Sequence, residues 1–416
     1  MKMRSLVCAI AIALPLLAST PVETIETHIR TLASDAMEGR GLNTSGVTKA
    51  ADYIEKELRA AKLQPAFGKS YRQPFPVKMG VALGEKNAID GLAADDWTPL
   101  GFSSSGAFSG PIVFAGYGIE APPLSYRELQ GLDLKGKVVL ILRYEPQERD
   151  EKSIFDGRKP SRWSALRYKA MQARERGAAA VIFVTGPLQD EGKDKIPALT
   201  NDGPESPAGL PVIQVKTSVA VRWLSAAGID LAQWQKDVDA DLKPRSRALD
   251  VTLRGTVDVK ATFAEGQNIA GILPGRGKLA GESVVVGAHY DHLGYGGKGS
   301  MKPNETAIHN GADDNASGTS AVLVAARRIQ ELLKDAKEHR TIVIALFSAE
   351  ELGLGGSSYF VANPPVPMDK VAAMLNLDMV GAMKDGKVVA LGSESAPEWK
   401  PLLERAATET KLTISS

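Results

Sequence analysis

Over residues 22–63 the apolar positions recur every three to four residues. Ala50, Ala51, Tyr53, Ile54, Leu58 and Ala61 share one face, with Lys49, Asp52, Glu55, Lys56 and Arg59 between them. That spacing predicts helix, preceded by a polar loop over residues 34–41. From about residue 96 the pattern shortens to apolar runs. Residues 111–116, Val138–Leu142, 178–184 and Val212–Val215 read as strands, with helices predicted over residues 165–176 and 218–227. A run apolar at every position belongs to a strand buried on both faces. Residues 251–263 alternate instead, as a half-exposed strand does. Thereafter strands at 284–287, Thr341–Phe347 and 372–377 alternate with helices at 315–333 and 397–410. The expected fold class is α/β: a mixed, mostly parallel sheet with helices on both faces, plus an inserted small α/β domain. The expected division is 1–19, 20–95, 96–249 for the insert, and 250–416.

Composition narrows the function classes. The 416 residues are 44% hydrophobic, enough for more than one core. Fifty basic and 49 acidic side chains leave a net charge of +1, which lacks the basic footprint of a nucleic-acid binder. Met1-Lys2-Met3-Arg4, the apolar run from Leu6 to Leu17 and Ala18-Ser19-Thr20 read as a secretory signal over residues 1–19. The expected location is therefore secreted or periplasmic, with no stable membrane association after cleavage. Cys8, the only cysteine, falls inside that signal. The mature chain then offers no thiolate, so a metal must be held by His, Asp and Glu.

Three segments concentrate such groups: His289-Tyr290-Asp291-His292 after one strand, Gly311-Ala312-Asp313-Asp314 before a helix, and Ser348-Ala349-Glu350-Glu351 after another strand. Asp378 follows a third strand. In an open α/β sheet, ligands bind at the carboxyl ends of the strands. Carboxylates gathered there repel one another unless cations intervene. Imidazole with carboxylates suits zinc, and two ions at roughly 3.5–4 Å can share one acid and activate one water. Each segment alone is an ordinary loop, surface pair or helix cap. Together, at corresponding strand ends, they describe a metal site.

These segments resemble the co-catalytic zinc aminopeptidases of metallopeptidase family twenty-eight, clan MH. Leu32-Ala33-Ser34-Asp35, Glu38-Gly39-Arg40 and Ala50-Ala51-Asp52-Tyr53 resemble its N-terminal segment. Gly116-Tyr117-Gly118-Ile119, Leu134-Lys135-Gly136-Lys137-Val138 and Arg176-Gly177-Ala178-Ala179-Ala180 resemble an inserted protease-associated (PA) domain. The resemblance implies His289 and Asp378 as ligands of one zinc, Asp314 as the bridging acid and Glu351 as a ligand of the other zinc. It implies Glu350 as general base and Asp291 as the acid orienting His289. It implies removal of N-terminal residues from peptide substrates. A carboxypeptidase or other amidohydrolase on the same scaffold, or an inactive peptide-binding protein, remains open, as does the oligomeric state. The family takes one further zinc ligand, a histidine, from a later loop. None of His28, His289, His292, His309 and His339 follows Asp378. The expectation is a C-terminally truncated chain whose second zinc site lacks its histidine.

Overall fold

The computed structural model describes residues 21–415 except 198, 200–206, 298–299, 303–304 and 384. The signal expected over residues 1–19, with Cys8, lies outside the described residues. The chain divides into two compact units: Met1–Val77 with Ala264–Ser416, and Lys78–Phe263.

The first unit is built on helices α1 (Pro21–Leu32) and α2 (Ser45–Ala60), then the part of β1 (Val259–Leu273) from Ala264 onward, β2 (Ser283–His289), α3 (Gly318–Leu333), β3 (Thr341–Phe347), α4 (Gly355–Ala362) and β4 (Val371–Asn376). Thr44 caps α2 by accepting the Gly46 N–H at 3.1 Å, which satisfies one of the orphan donors of the first turn. The sheet is mixed. Four of its six strands among the described residues run in the spatial order β1-β3-β2-β4. β2 is parallel to β3 and β4, and β1 is antiparallel to β3. The register sets Gly287 opposite Ala345 and Asn376, so three carboxyl ends finish at one level.

Alternation explains why these strands are apolar throughout. Ile342, Ile344 and Leu346 of β3 join Val286, Ala288, Ile54, Leu58, Val322, Leu323 and Ala326 in one core. Val343, Ala345 and Phe347 point the other way and pack with Val285, Ala270 and Phe360. Each fully buried aliphatic side chain adds roughly 1.5–3 kcal/mol of transfer free energy, and the two faces share it. β4 is the exception: Met374 and Leu375 are 44% and 41% exposed.

The second unit contains, among the described residues, a seven-stranded sheet. Its centre is four parallel strands, Gly106–Phe114, Val138–Leu142, Ala180–Val184 and Val212–Val215. Arg247–Val257 and Trp97–Pro99 pair antiparallel at the two sides. Val138, Leu140 and Leu142 face one core and Val139 and Ile141 the other. The unit is wider than residues 96–249. The alternating stretch 251–263 covers the end of one strand, Arg247–Val257, which pairs with Gly106–Phe114 of this unit, and the beginning of β1. Alternation revealed the strand but not which sheet it joins. No helix among the described residues is long and apolar enough to cross a membrane.

Candidate metal centre

The site assembles where β2, β3 and β4 end. His289 is the last residue of β2, and the Thr319 hydroxyl of α3 donates to its carbonyl at 2.8 Å. Glu350 and Glu351 follow β3, after Ala349 turns the chain at φ 58°. Asp378 lies just past β4. Asp314 sits in the irregular turn Ala312–Ser317 that opens α3. One amide ties these pieces together: Asn315 donates to the Leu377 carbonyl at 2.9 Å and accepts from Gly318 N–H at 2.9 Å.

The two adjacent aspartates have different partners. Asp313 Oδ1 accepts the Gly381 N–H at 2.7 Å and the Ser317 hydroxyl at 3.2 Å, so it is occupied in loop structure. Asp314 faces the histidines. His289 Nε2 is 3.3 Å from Asp314 Oδ1 and 3.3 Å from Asp378 Oδ1. Zinc bonds of about 2.0–2.1 Å at tetrahedral angles separate ligand atoms by roughly 3.3 Å. Both distances match that edge, and the three ligand atoms lie within 4.8 Å of one another, so this imidazole and two carboxylates could hold a zinc ion. Glu350 Oε2 is 3.9 Å from the same ring nitrogen. Behind the ring, Asp291 is 1% exposed. Its carbonyl lies 3.2 Å and its Oδ1 3.8 Å from His289 Nδ1. The same Oδ1 accepts the Glu350 N–H at 3.2 Å, linking the ring to the neighbouring acid.

The structure places a second group of ligand atoms beside the first: His292, Asp314 and Glu351, with Asp314 common to both. His292 here faces the Asp314 and Glu351 carboxylates. His292 Nδ1 is 2.5 Å from Glu351 Oε1 and 3.7 Å from Asp314 Oδ2. Its position in the sequence, one residue after Asp291, was legible; its direction was not.

The electrostatics call for cations. Burial works against a charged His289 ring, yet hydrogen bonds to Asp291 and Asp314 and the nearby Glu350 outweigh it and push its pKa up to about 11. A metal ion entering here displaces that proton. The hydrogen bond from His289 holds Asp314 below the usual carboxylate range. Burial raises Glu350 above it. Sequence reasoning also missed Arg40. Its guanidinium is fully buried and donates to the carbonyls of Tyr290 at 2.7 Å, Leu32 at 2.6 Å, Asn310 at 2.7 Å and Gly311 at 2.8 Å. Burial lowers its pKa to about 10, against the pull of Asp291, Asp314 and Glu351. Arg40 thus fixes the backbone on both sides of the acid cluster. Glu38-Gly39-Arg40 was visible as a segment, but no local signal says that an arginine will be buried.

Comparison with known proteins follows the same division. Residues 268–416 match the model of peptidase family M28, and residues 108–223 match the PA domain. Aminopeptidase YwaD of Bacillus subtilis (strain 168) is 28% identical over 351 residues, 84% of this chain and 60% of that protein. Leucine aminopeptidase 1 of Arthroderma gypseum is 40% identical over 124 residues, 29% of this chain and 31% of that one. Among solved structures, BSAP, a zinc aminopeptidase from Bacillus subtilis, is 23% identical with a TM-score of 0.47, covering 94% of this chain and 78% of that one. The chain thus spans 60% and 31% of the length of these two curated relatives.

Proposed function

We propose, from the match of residues 268–416 to peptidase family M28 and of residues 108–223 to the PA domain, that the chain is a zinc-dependent aminopeptidase acting on peptides. The observation that carries the reading is the convergence of His289, Asp314 and Asp378 at ligand spacing with Glu350 beside them. These three residues would hold one ion, and Asp314 with Glu351 would face a second, so that the complete centre would take two. Zinc held there would supply Lewis-acid chemistry toward the scissile carbonyl and a water.

The remaining work falls to side chains. Glu350, raised above the usual carboxylate range, takes the proton from the attacking water and delivers it to the leaving amine. Asp291 holds His289 from behind and anchors the Glu350 backbone, so ligand and base keep their spacing. Residues 1–19 direct the chain out of the cytoplasm in this reading; N-terminal sequencing of the mature protein checks that.

The test is hydrolysis. Amino-acid p-nitroanilides are cleaved, cleavage stops after dialysis against a chelator, and added zinc restores it. Preference for blocked peptides with a free C-terminus would instead make this a carboxypeptidase.

A further inference from the structure

We propose that Asn268 is the positioning residue for the loop that carries Glu350, its side-chain amide tying both feet of that loop together. This deepens the reading of Glu350 as the base and rests on it. Asn268 lies on β1 and is 1% exposed. The loop leaves the sheet at Ser348, directly after β3, and ends at Gly356, in the first turn of α4. Asn268 reaches both points. Its Oδ1 accepts the Ser348 N–H at 3.3 Å, and its Nδ2 donates to the Gly356 carbonyl at 2.9 Å. Nδ2 also donates to Gln73 Oε1 at 2.9 Å, and Gln73 in turn donates to the Asn363 carbonyl, just past α4, at 2.6 Å. A backbone N–H only donates and a carbonyl only accepts, so these partners fix which way the amide points.

The loop needs such a tie. Ala349 and Leu354 hold φ at 58° and 62°, left-handed conformations that residues with side chains keep only where the surroundings impose them. Within the loop, the Gly353 and Leu354 N–H groups donate to the Glu350 carbonyl at 2.8 and 2.9 Å, and the Gly355 N–H to the Ala349 carbonyl at 2.8 Å. These bonds close the loop on itself; those of Asn268 fasten it to the sheet. The fit is tight, since a Cβ on Gly356 would overlap the Ser348 carbonyl oxygen and Asn268 Oδ1. From β2, Asp291 Oδ1 accepts the Glu350 N–H at 3.2 Å. Glu350 is thus fixed from two strands, with its Oε2 3.9 Å from His289 Nε2. A base works only within hydrogen-bond reach of the proton it takes, so a shift of about 1 Å in this loop costs turnover rather than binding. The alternative is that Asn268 satisfies buried backbone groups and contributes stability alone.

Two measurements on the full chain separate these roles, and one of them needs no turnover. Asn268→Leu removes all three bonds at nearly constant volume. Tyr71→Phe is the control, because it removes a buried hydrogen bond to the Leu63 carbonyl in the same unit without touching the loop. In metal-free protein, Asn268→Leu should speed amide hydrogen exchange at Gly353, Leu354 and Gly355 by about 10-fold or more, with the amides of α2 unchanged. Tyr71→Phe should leave the three loop amides as in wild type. In p-nitroanilide hydrolysis, Asn268→Leu should lower kcat by about 10–100-fold at unchanged KM, and Tyr71→Phe should move neither. Circular dichroism checks the fold. If Asn268→Leu does not fold, Asn268→Asp carries the same comparison, because it keeps size and the acceptor for Ser348 but loses the donor to Gly356. Loop exchange equal to wild type overturns the assignment whatever the activity. Faster loop exchange with wild-type kcat also overturns it, as do equal losses of kcat in the variant and the control. Wild type that cleaves no anilide removes the peptidase reading and the base role of Glu350 with it, while the exchange measurement still decides whether Asn268 ties the loop.

Discussion

Residue identity decides most of what can be tested at the site. Glu350 lies near the ligands yet belongs to neither ligand group. Glu350→Gln keeps size and hydrogen bonding but removes the base. Turnover should fall by about 10²–10⁴-fold or more with zinc content unchanged; turnover near wild type in a steady-state assay would remove Glu350 from the role. Arg40 makes a different kind of contribution. Arg40→Met orphans the carbonyls of Leu32, Tyr290, Asn310 and Gly311 and leaves Asp291, Asp314 and Glu351 without their buried cation. Breaking such a buried arrangement costs about 3–5 kcal/mol. Urea denaturation of the metal-free protein should show it, and a loss under about 1 kcal/mol would mean that water or neighbours replace the guanidinium. Glu350 and Glu351 were legible as chemistry because adjacent acids follow an apolar strand. Arg40 was not, because a buried arginine depends on carbonyls hundreds of positions away in sequence.

At the scale of elements, the site depends on how α3 begins. The turn Ala312–Ser317 departs from helical geometry at Asp314 and Asn315, which swings Asp314 toward the two histidines. Gly311 enters that turn at φ +58°, and a Cβ there would sit 2.1 Å from the Asp314 carbonyl oxygen and 2.5 Å from His292. Gly311→Ala therefore forces the turn to shift. Zinc affinity should weaken at both positions together, because Asp314 serves both. Calorimetric titration of the variant checks this; a loss confined to one position would contradict the shared role of Asp314. From sequence the helix appeared to run through residues 315–333. The structure starts it at Gly318, because Asn315 uses its side chain to bind Leu377 and Gly318 rather than to continue the helix.

For the molecule as a whole, the insert carries its own architecture. Lys78–Phe263 holds a sheet with a core on each face, so it contains what cooperative folding requires. Expressed alone, residues 78–263 should unfold in urea in a single sigmoidal transition; a flat, non-cooperative signal would show that the unit depends on the rest of the chain. What the sequence by itself determined is local and periodic. Fully apolar runs became strands buried on both faces, the three-to-four spacing became α2, and acids and a histidine past strand ends became the candidate centre. These survive because period and burial are properties of neighbouring residues. Tertiary structure alone decided which sheet Arg247–Val257 joins, that Asp314 turns one oxygen to each histidine, and that His292 stands against Glu351. Those outcomes depend on strand register and on the direction of side chains fixed by packing across long separations, which no pattern along one stretch of chain encodes.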